Sequence, residues 1–234
     1  MEKRVLIVDC SIFPDIYRPA EHWRALLGGA PADAVHLPSG EAPPDLAAYT
    51  HVVLTGSEAS IVRPEPWYEV EAGLVRRAAA GGKAILGSCF GHQMLALALC
   101  GPRHVRASAT PELGWAAIDA VGADPLLDGL PDPFHAFVAH FDEVVEPPPP
   151  WRVLARSAGC AVQVMRCGDA PIWGVQAHPE IDVGTGRFLL EGLAGKAPER
   201  AGIIGRALGE VPRDDGVAGE IVRRFLSSPD PCGR

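Results

Sequence analysis

No cluster of basic residues stands out in this chain beyond pairs such as Arg76-Arg77 and Arg223-Arg224, and 29 acidic residues outnumber 21 lysines and arginines for a formal charge of −8. That balance argues against nucleic acid and anionic membrane as partners. No apolar run approaches the roughly 20 residues that span a bilayer. The opening "MEKRVLIVDCSIFPD" is too short in apolar residues for a signal-peptide core, so a soluble, cytoplasmic protein is expected. The six cysteines (Cys10, Cys89, Cys100, Cys160, Cys167 and Cys232) include no C-x-x-C pair. Neither a zinc site nor a disulfide framework is suggested, and each is expected as a reduced thiol. The sequence also lacks a G-x-x-x-x-G-K-[ST] phosphate loop and any internal repeat. No cofactor and no metal are implied.

What is present is an alternation of short apolar runs and breakers. A chain of 234 residues, 47% of them hydrophobic, suits one large α/β domain over residues 1–234. "KRVLIVD" (3–9), "HVVLTG" (51–56) and "KAILGS" (83–88) read as buried parallel strands. Between the last two, Pro66 marks a helix start, Val70, Leu74 and Val75 recur at helical spacing, and Gly81-Gly82 marks the stop. The middle of the chain changes to strands separated by turns: "LGWAAIDAV", "FHAFVAHFDEVV", "WRVLARS", "AVQVMRC" and "IWGVQAHPE". Helices return after residue 182 in "RFLLEGLAG", "ERAGIIGRALGE" and "GEIVRRFLSS", which divides the chain into a core of about 1–195 and a helical extension of about 196–234. The Pro-rich spots at 43–44 and 147–150 read as rigid loops.

The stretch "ILGSCFGHQMLALALCG" (85–101) carries the chemistry. A strand stops on a cysteine between two glycines and restarts at once as an apolar helix, the pattern of a nucleophile elbow. The glycines supply room for a strained turn, and the helix N-terminus favours an attacking thiolate on Cys89. Ser88 falls outside the centre of the G-x-Nuc-x-G frame and reads as a small neighbour. Of the eight histidines, His22, His36, His51, His92, His104, His135 and His140 have no supporting pattern and default to surface or core-polar roles. His178 ends an apolar strand in "QAHPEI", where Pro179 forces an extended step and Glu180 follows within reach of the imidazole. Nucleophile, base and orienting carboxylate are the parts of a triad for acyl transfer.

Together, Gly87-Ser88-Cys89-Phe90-Gly91-His92-Gln93 and Val175-Gln176-Ala177-His178-Pro179-Glu180 resemble the class I glutamine amidotransferases, a Cys-His-Glu family that releases ammonia from glutamine. The resemblance covers most of residues 1–195. "ELGW" (112–115), "DPLLDGLP" (124–131) and "AHFDEV" (139–144) are similar to its stand-alone branch, which includes GMP-synthase-like amidotransferase domains and γ-glutamyl peptidases. It implies a flavodoxin-like α/β fold: an open, mostly parallel sheet flanked by helices, with C-terminal helices. It also implies that Cys89, His178 and Glu180 are catalytic and that the backbone amides of Phe90 and Ser57 form the oxyanion hole. The substrate would meet Gly56, Gln93, and the strip His140-Phe141-Asp142, whose backbone reads the α-amino and α-carboxyl groups.

Two departures stand out. The family's Gly-Gly-Pro loop reads Gly56-Ser57-Glu58, which places a side chain where glycine's conformational freedom is usual. Synthetase-linked members commonly have glycine where Phe141 stands.

The resemblance leaves two enzymatic functions open. The first is hydrolysis of glutamine through a γ-glutamyl thioester on Cys89, with ammonia passing to a separate synthetase or ligase subunit, since no nucleotide-binding domain accompanies these residues. The second is a γ-glutamyl peptidase or hydrolase acting on a γ-glutamyl small molecule. A regulatory binding module is the third possibility, and the intact Cys, His and Glu argue against it.

Overall fold

The computed structural model describes residues 3–228; Cys232 lies outside them. The fold is built on one nine-stranded sheet with strands β1 (Val5–Asp9), β2 (Ala32–His36), β3 (His51–Leu54), β4 (Ala84–Ser88), β5 (Val105–Ala120), β6 (Phe134–Val144), β7 (Trp151–Arg156), β8 (Val164–Cys167) and β9 (Ile172–Val175). Their order across the sheet is β2-β1-β3-β4-β9-β8-β7-β5-β6. The pairings from β2 to β9 are parallel, and those from β9 through β8, β7, β5 and β6 are antiparallel. The expected open α/β sheet is therefore mixed, and its parallel half is the part that carries β-α-β connections.

The helices are α1 (Pro19–Leu26), α2 (Tyr68–Ala80), α3 (Phe90–Leu99), α4 (Val183–Lys196), α5 (Ala201–Gly209) and α6 (Ala218–Ser227). Because strand side chains alternate between faces, the parallel strands are apolar on both. Leu6, Val8, Leu54 and Ile85 pack with Leu74, Val75 and Met94 of α2 and α3. Val5, Ile7, Val53 and Leu86 pack on the other face with Trp23 of α1 and Phe225 of α6. A third cluster joins Tyr17, Phe137, Leu189, Leu190 and Ile204 where α4 and α5 meet β6. The C-terminal helices thus complete both the sheet's cover and one wall beside β6.

Three local expectations change. Val70 is 42% exposed, because α2 turns Tyr68, Glu71, Ala72, Leu74, Val75 and Ala78 inward instead. The acid Glu71 is wholly buried in that face, and burial pushes its carboxyl up to about 8. Strand β2 and helix α1 lack a clean apolar period and escape the sequence pattern; β2 is an edge strand with one buried residue in five. Among the described residues no helix is long and apolar enough to cross a membrane.

Candidate active site

The site lies at the carboxyl ends of the adjacent strands β3, β4 and β9, where an open α/β sheet presents its loops. Cys89 leaves β4 at φ 47° and ψ −104° and caps α3 without a helical conformation of its own. Among the described residues only Cys89 and Glu146 combine a side chain with positive φ. The turn is held from both sides: Cys89 N–H donates to the Val175 carbonyl at 2.8 Å, and Gly91 N–H donates to the Thr55 carbonyl at 3.0 Å. A Cβ on Gly87 would sit 2.5 Å from the Gly91 carbonyl oxygen, and one on Gly91 would collide with the Leu54 backbone. Both glycines of the elbow are therefore required by close approach, and the strain they permit falls on Cys89.

Strand β9 ends in Gln176-Ala177-His178, and the His178 N–H donates to the Phe137 carbonyl at 2.8 Å, tying the base to β6. Its imidazole is 4% exposed and faces Cys89 on one side; on the other, Nδ1 lies 2.8 Å from Glu180 Oε1. Burial disfavours the imidazolium, but Cys89 and Glu180 outweigh it and raise His178 to about 10. Burial likewise pushes Glu180 up, while His178 and Tyr17 hold it below the usual carboxylate range.

Two further donors reach this carboxylate. Tyr17 Oη donates to Glu180 Oε1 at 2.5 Å, and Ser88 Oγ donates to Oε2 at 3.1 Å. Ser88 is thus more than a small neighbour of the nucleophile. Three donors on a buried carboxylate favour its ionised form and hold the imidazole in one orientation.

The loop after β3 closes against the same ring. A Cβ on Gly56 would stand 2.5 Å from His178 Cε1 and 3.0 Å from the Tyr17 hydroxyl, so a glycine here is a packing requirement. Ser57 lines the cavity beside Cys89, and its Oγ accepts from Ala59 N–H at 3.1 Å. The strain expected at Ser57 is absent, since its φ is not positive; the loop reaches the cavity without needing a second glycine. Phe90 N–H opens α3, where first-turn amides have no partner within the helix.

The strip on β6 lies opposite. Cys89 Sγ is 3.7 Å from the Ala139 carbonyl, and Gln93 Nε2 donates to the Asp142 carbonyl at 2.7 Å and to Gln176 Oε1 at 3.1 Å. Gln93 therefore clamps the strip to α3 and β9. Asp142 Oδ2 accepts from Ser60 Oγ at 2.6 Å and Ile61 N–H at 3.0 Å, which binds the strip to the loop after β3. The His140 side chain turns to the hydrogen-bonded carboxylate of Glu112 at 3.2 Å. Glu112 Oε1 or Oε2 also takes bonds from Ser157, Gly159 and Gln163. Ligand atoms of Glu112, His140 and Cys160 lie within 4.8 Å of one another, but those bonds already occupy the carboxylate. Phe141 lines the cavity together with Leu189 and Leu193 of α4 and Arg200, whose guanidinium carbon stacks 3.6 Å from the Phe141 ring centroid.

The arrangement contains a strained thiol at a helix N-terminus, an imidazole facing it, a carboxylate behind the imidazole and backbone amides beside it: the parts for transfer of an acyl group to sulfur. Residues 41–191 match the model of the family described as glutamine amidotransferase class-I. The chain belongs to this family.

Among individual relatives of the family, the smaller component of a glutamine-hydrolyzing GMP synthase from Sulfolobus acidocaldarius is 44% identical over 96 residues, 41% of this chain and 50% of that protein. The namesake from Ignicoccus hospitalis is 34% identical over 139 residues, 59% of this chain and 71% of that one. The chain thus spans about half the length of the first of these and more of the second. A glutamine amidotransferase structure from Thermotoga maritima superposes with a TM-score of 0.80 at 22% identity, covering 97% of this chain and all of that one. Another from Methylobacillus flagellatus gives 0.74 at 21% identity over 97% and 94% of the two chains. These likenesses establish the class I amidotransferase fold over nearly the whole chain.

Four site groups escape the sequence motifs: the Tyr17 hydroxyl, the Ser88 hydroxyl, the Glu58 carboxylate and the Arg200 guanidinium. Ser88 alone carried a usable signal, its place beside the nucleophile. Tyr17 sits in the loop after β1, and Arg200 follows α4, far from either motif.

Proposed function

We propose that this chain is the glutamine-hydrolysing component of a two-protein amidotransferase. Cys89 attacks the side-chain amide carbon of glutamine, and the carbonyl oxygen takes up negative charge against the Phe90 and Ser57 amides. His178 gives its proton to the departing nitrogen, so the C–N bond breaks and ammonia leaves a γ-glutamyl thioester. Water, deprotonated by His178, then releases glutamate and restores the thiol. Glu180, bonded to Tyr17 and Ser88, orients the imidazole and stabilises its cationic form. Gly56, Gln93, His140, Phe141 and Asp142 shape the substrate cavity, the last four through the β6 strip and its clamp.

The observation that carries this reading is the contact line from Cys89 through His178 to a Glu180 carboxylate held by three donors. The relatives named as components of GMP synthase support a separate synthetase protein that receives the ammonia. A cytosolic setting is part of the reading, because a thiolate nucleophile must stay reduced. Purified chain assayed on glutamine and on γ-glutamyl dipeptides tests it. Slow glutamine hydrolysis that accelerates when the synthetase protein is added is the expected result. Efficient cleavage of the dipeptides with poor turnover of glutamine would replace it with the γ-glutamyl peptidase reading.

A further inference from the structure

The two places where this chain departs from its family's motifs both carry charge into the cavity. Glu58 replaces the loop proline. Its Oε2 accepts from the Ile12 and Phe13 amides at 2.8 and 3.3 Å, but its Oε1 is buried with no hydrogen-bond partner. A buried carboxylate oxygen left without a donor is costly, and a bound cation would satisfy it. Burial already pushes the Glu58 carboxyl up.

Phe141 replaces the usual glycine and carries Arg200 on its face. The Arg200 side chain is 31% exposed, and its only ion pair among the described residues is a 3.7 Å contact with Glu199, which is itself 69% exposed. Stacking holds a guanidinium flat while its N–H donors stay free in the ring plane, the geometry that grips a carboxylate. Arg200 and Glu58 line the same cavity as Cys89. Arg200 also lies beyond residues 41–191, the part matched by the family model.

We infer that Arg200, stacked on Phe141, binds the α-carboxylate of the substrate, and that Glu58 Oε1 binds its α-ammonium, so that the C-terminal extension reads the amino-acid end while Cys89 meets the amide. Building on the glutaminase reading, this makes Arg200 and Glu58 specificity-determining residues. A substrate with a free amino-acid head is selected, and one blocked at either charge is rejected, because an unpaired buried charge would remain.

The test compares the wild type, Arg200→Ala, Arg200→Lys and Glu58→Gln on three amides: glutamine, 4-aminobutanamide, which lacks the carboxylate, and glutaric acid monoamide, which lacks the amine. Alkylation of Cys89 by iodoacetamide serves as the control for an intact nucleophile. Arg200→Ala should lower kcat/KM on glutamine by roughly ten- to a hundredfold, the scale of a charge-assisted hydrogen bond, and leave 4-aminobutanamide nearly unchanged. Arg200→Lys should restore part of the loss. Glu58→Gln, which keeps an oxygen for the Ile12 and Phe13 amides, should erase the preference for glutamine over the monoamide only. If each variant slows all three amides equally, or leaves both preferences intact, the assignment is overturned while the glutaminase reading stands. A wild type that alkylates normally but hydrolyses none of the three overturns that reading and this assignment with it.

Discussion

Tyr17 and Glu180, 163 positions apart in the chain, share a 2.5 Å hydrogen bond on the same carboxylate oxygen that faces His178. The tyrosine ring also stands edge-on to the imidazole, with centroids 5.9 Å apart. A residue from the loop after β1 is thus built into the support of a base that follows β9. Tyr17→Phe keeps that packing and removes one donor from a buried carboxylate. Its kcat/KM on glutamine should fall by about tenfold, the worth of one hydrogen bond to a charged group. Unchanged kinetics would show that His178 and Ser88 alone suffice to hold Glu180.

The three central residues should separate by severity. Cys89→Ala should abolish hydrolysis, and Cys100→Ala and Cys167→Ala should leave it intact, because neither thiol lines the cavity. His178→Ala removes the proton carrier and should cost on the order of a hundred- to ten-thousandfold. Glu180→Gln disturbs orientation only and should cost less. Equal damage from the last two would reverse the roles assigned to them.

Gly56→Ala offers a steric test. Its Cβ would meet His178 Cε1 at 2.5 Å, so the imidazole or the loop must give way. Because the loop is local, the thermal midpoint should move little while kcat falls by roughly tenfold or more, as a misplaced base predicts. A variant as active as the wild type would mean that the loop yields freely.

The pH response follows from His178, raised to about 10 by Cys89 and Glu180 against the pull of burial. A folded-state pKa above the unfolded value contributes stability that is fully present below about 6.5 and lost as pH rises through about 10. Glu180→Gln removes one of the two raising groups, and glutamine does not titrate in that window. Thermal midpoints of the variant should therefore decline less than the wild type's between pH 6.5 and 10. The alkaline limb of its kcat profile should also move to lower pH. Parallel curves for the two proteins would refute this account of the imidazolium.

Glu71 supplies an independent check away from the site. Burial raises its carboxyl to about 8, so the folded state loses stability as pH climbs from about 4.5 through 8. Glu71→Gln should flatten that decline without altering turnover. Melts across pH 4.5 to 8 that keep the wild-type slope would count against it.

What the sequence determined by itself is local chemistry. Strand, Gly87, Cys89, Gly91 and an apolar helix encode the elbow within a few residues, because the constraint is a turn whose neighbours must be small. His178-Pro179-Glu180 is equally local, since proline sets the step that lets the acid face the ring. The β-branched runs of β1, β3 and β4 announce a two-faced parallel sheet for the same reason: each residue's burial repeats with the strand's own period. Tertiary structure alone decided what surrounds these pieces. Nothing near Tyr17 or Arg200 in the chain marks them, and β2, half buried at the sheet edge, has no apolar period to read. Val70 and Glu71 exchanged inside and outside because α2's rotation is set by the sheet beneath it. Such choices rest on contacts between distant segments, whose pairing is encoded only in the shape of the folded core.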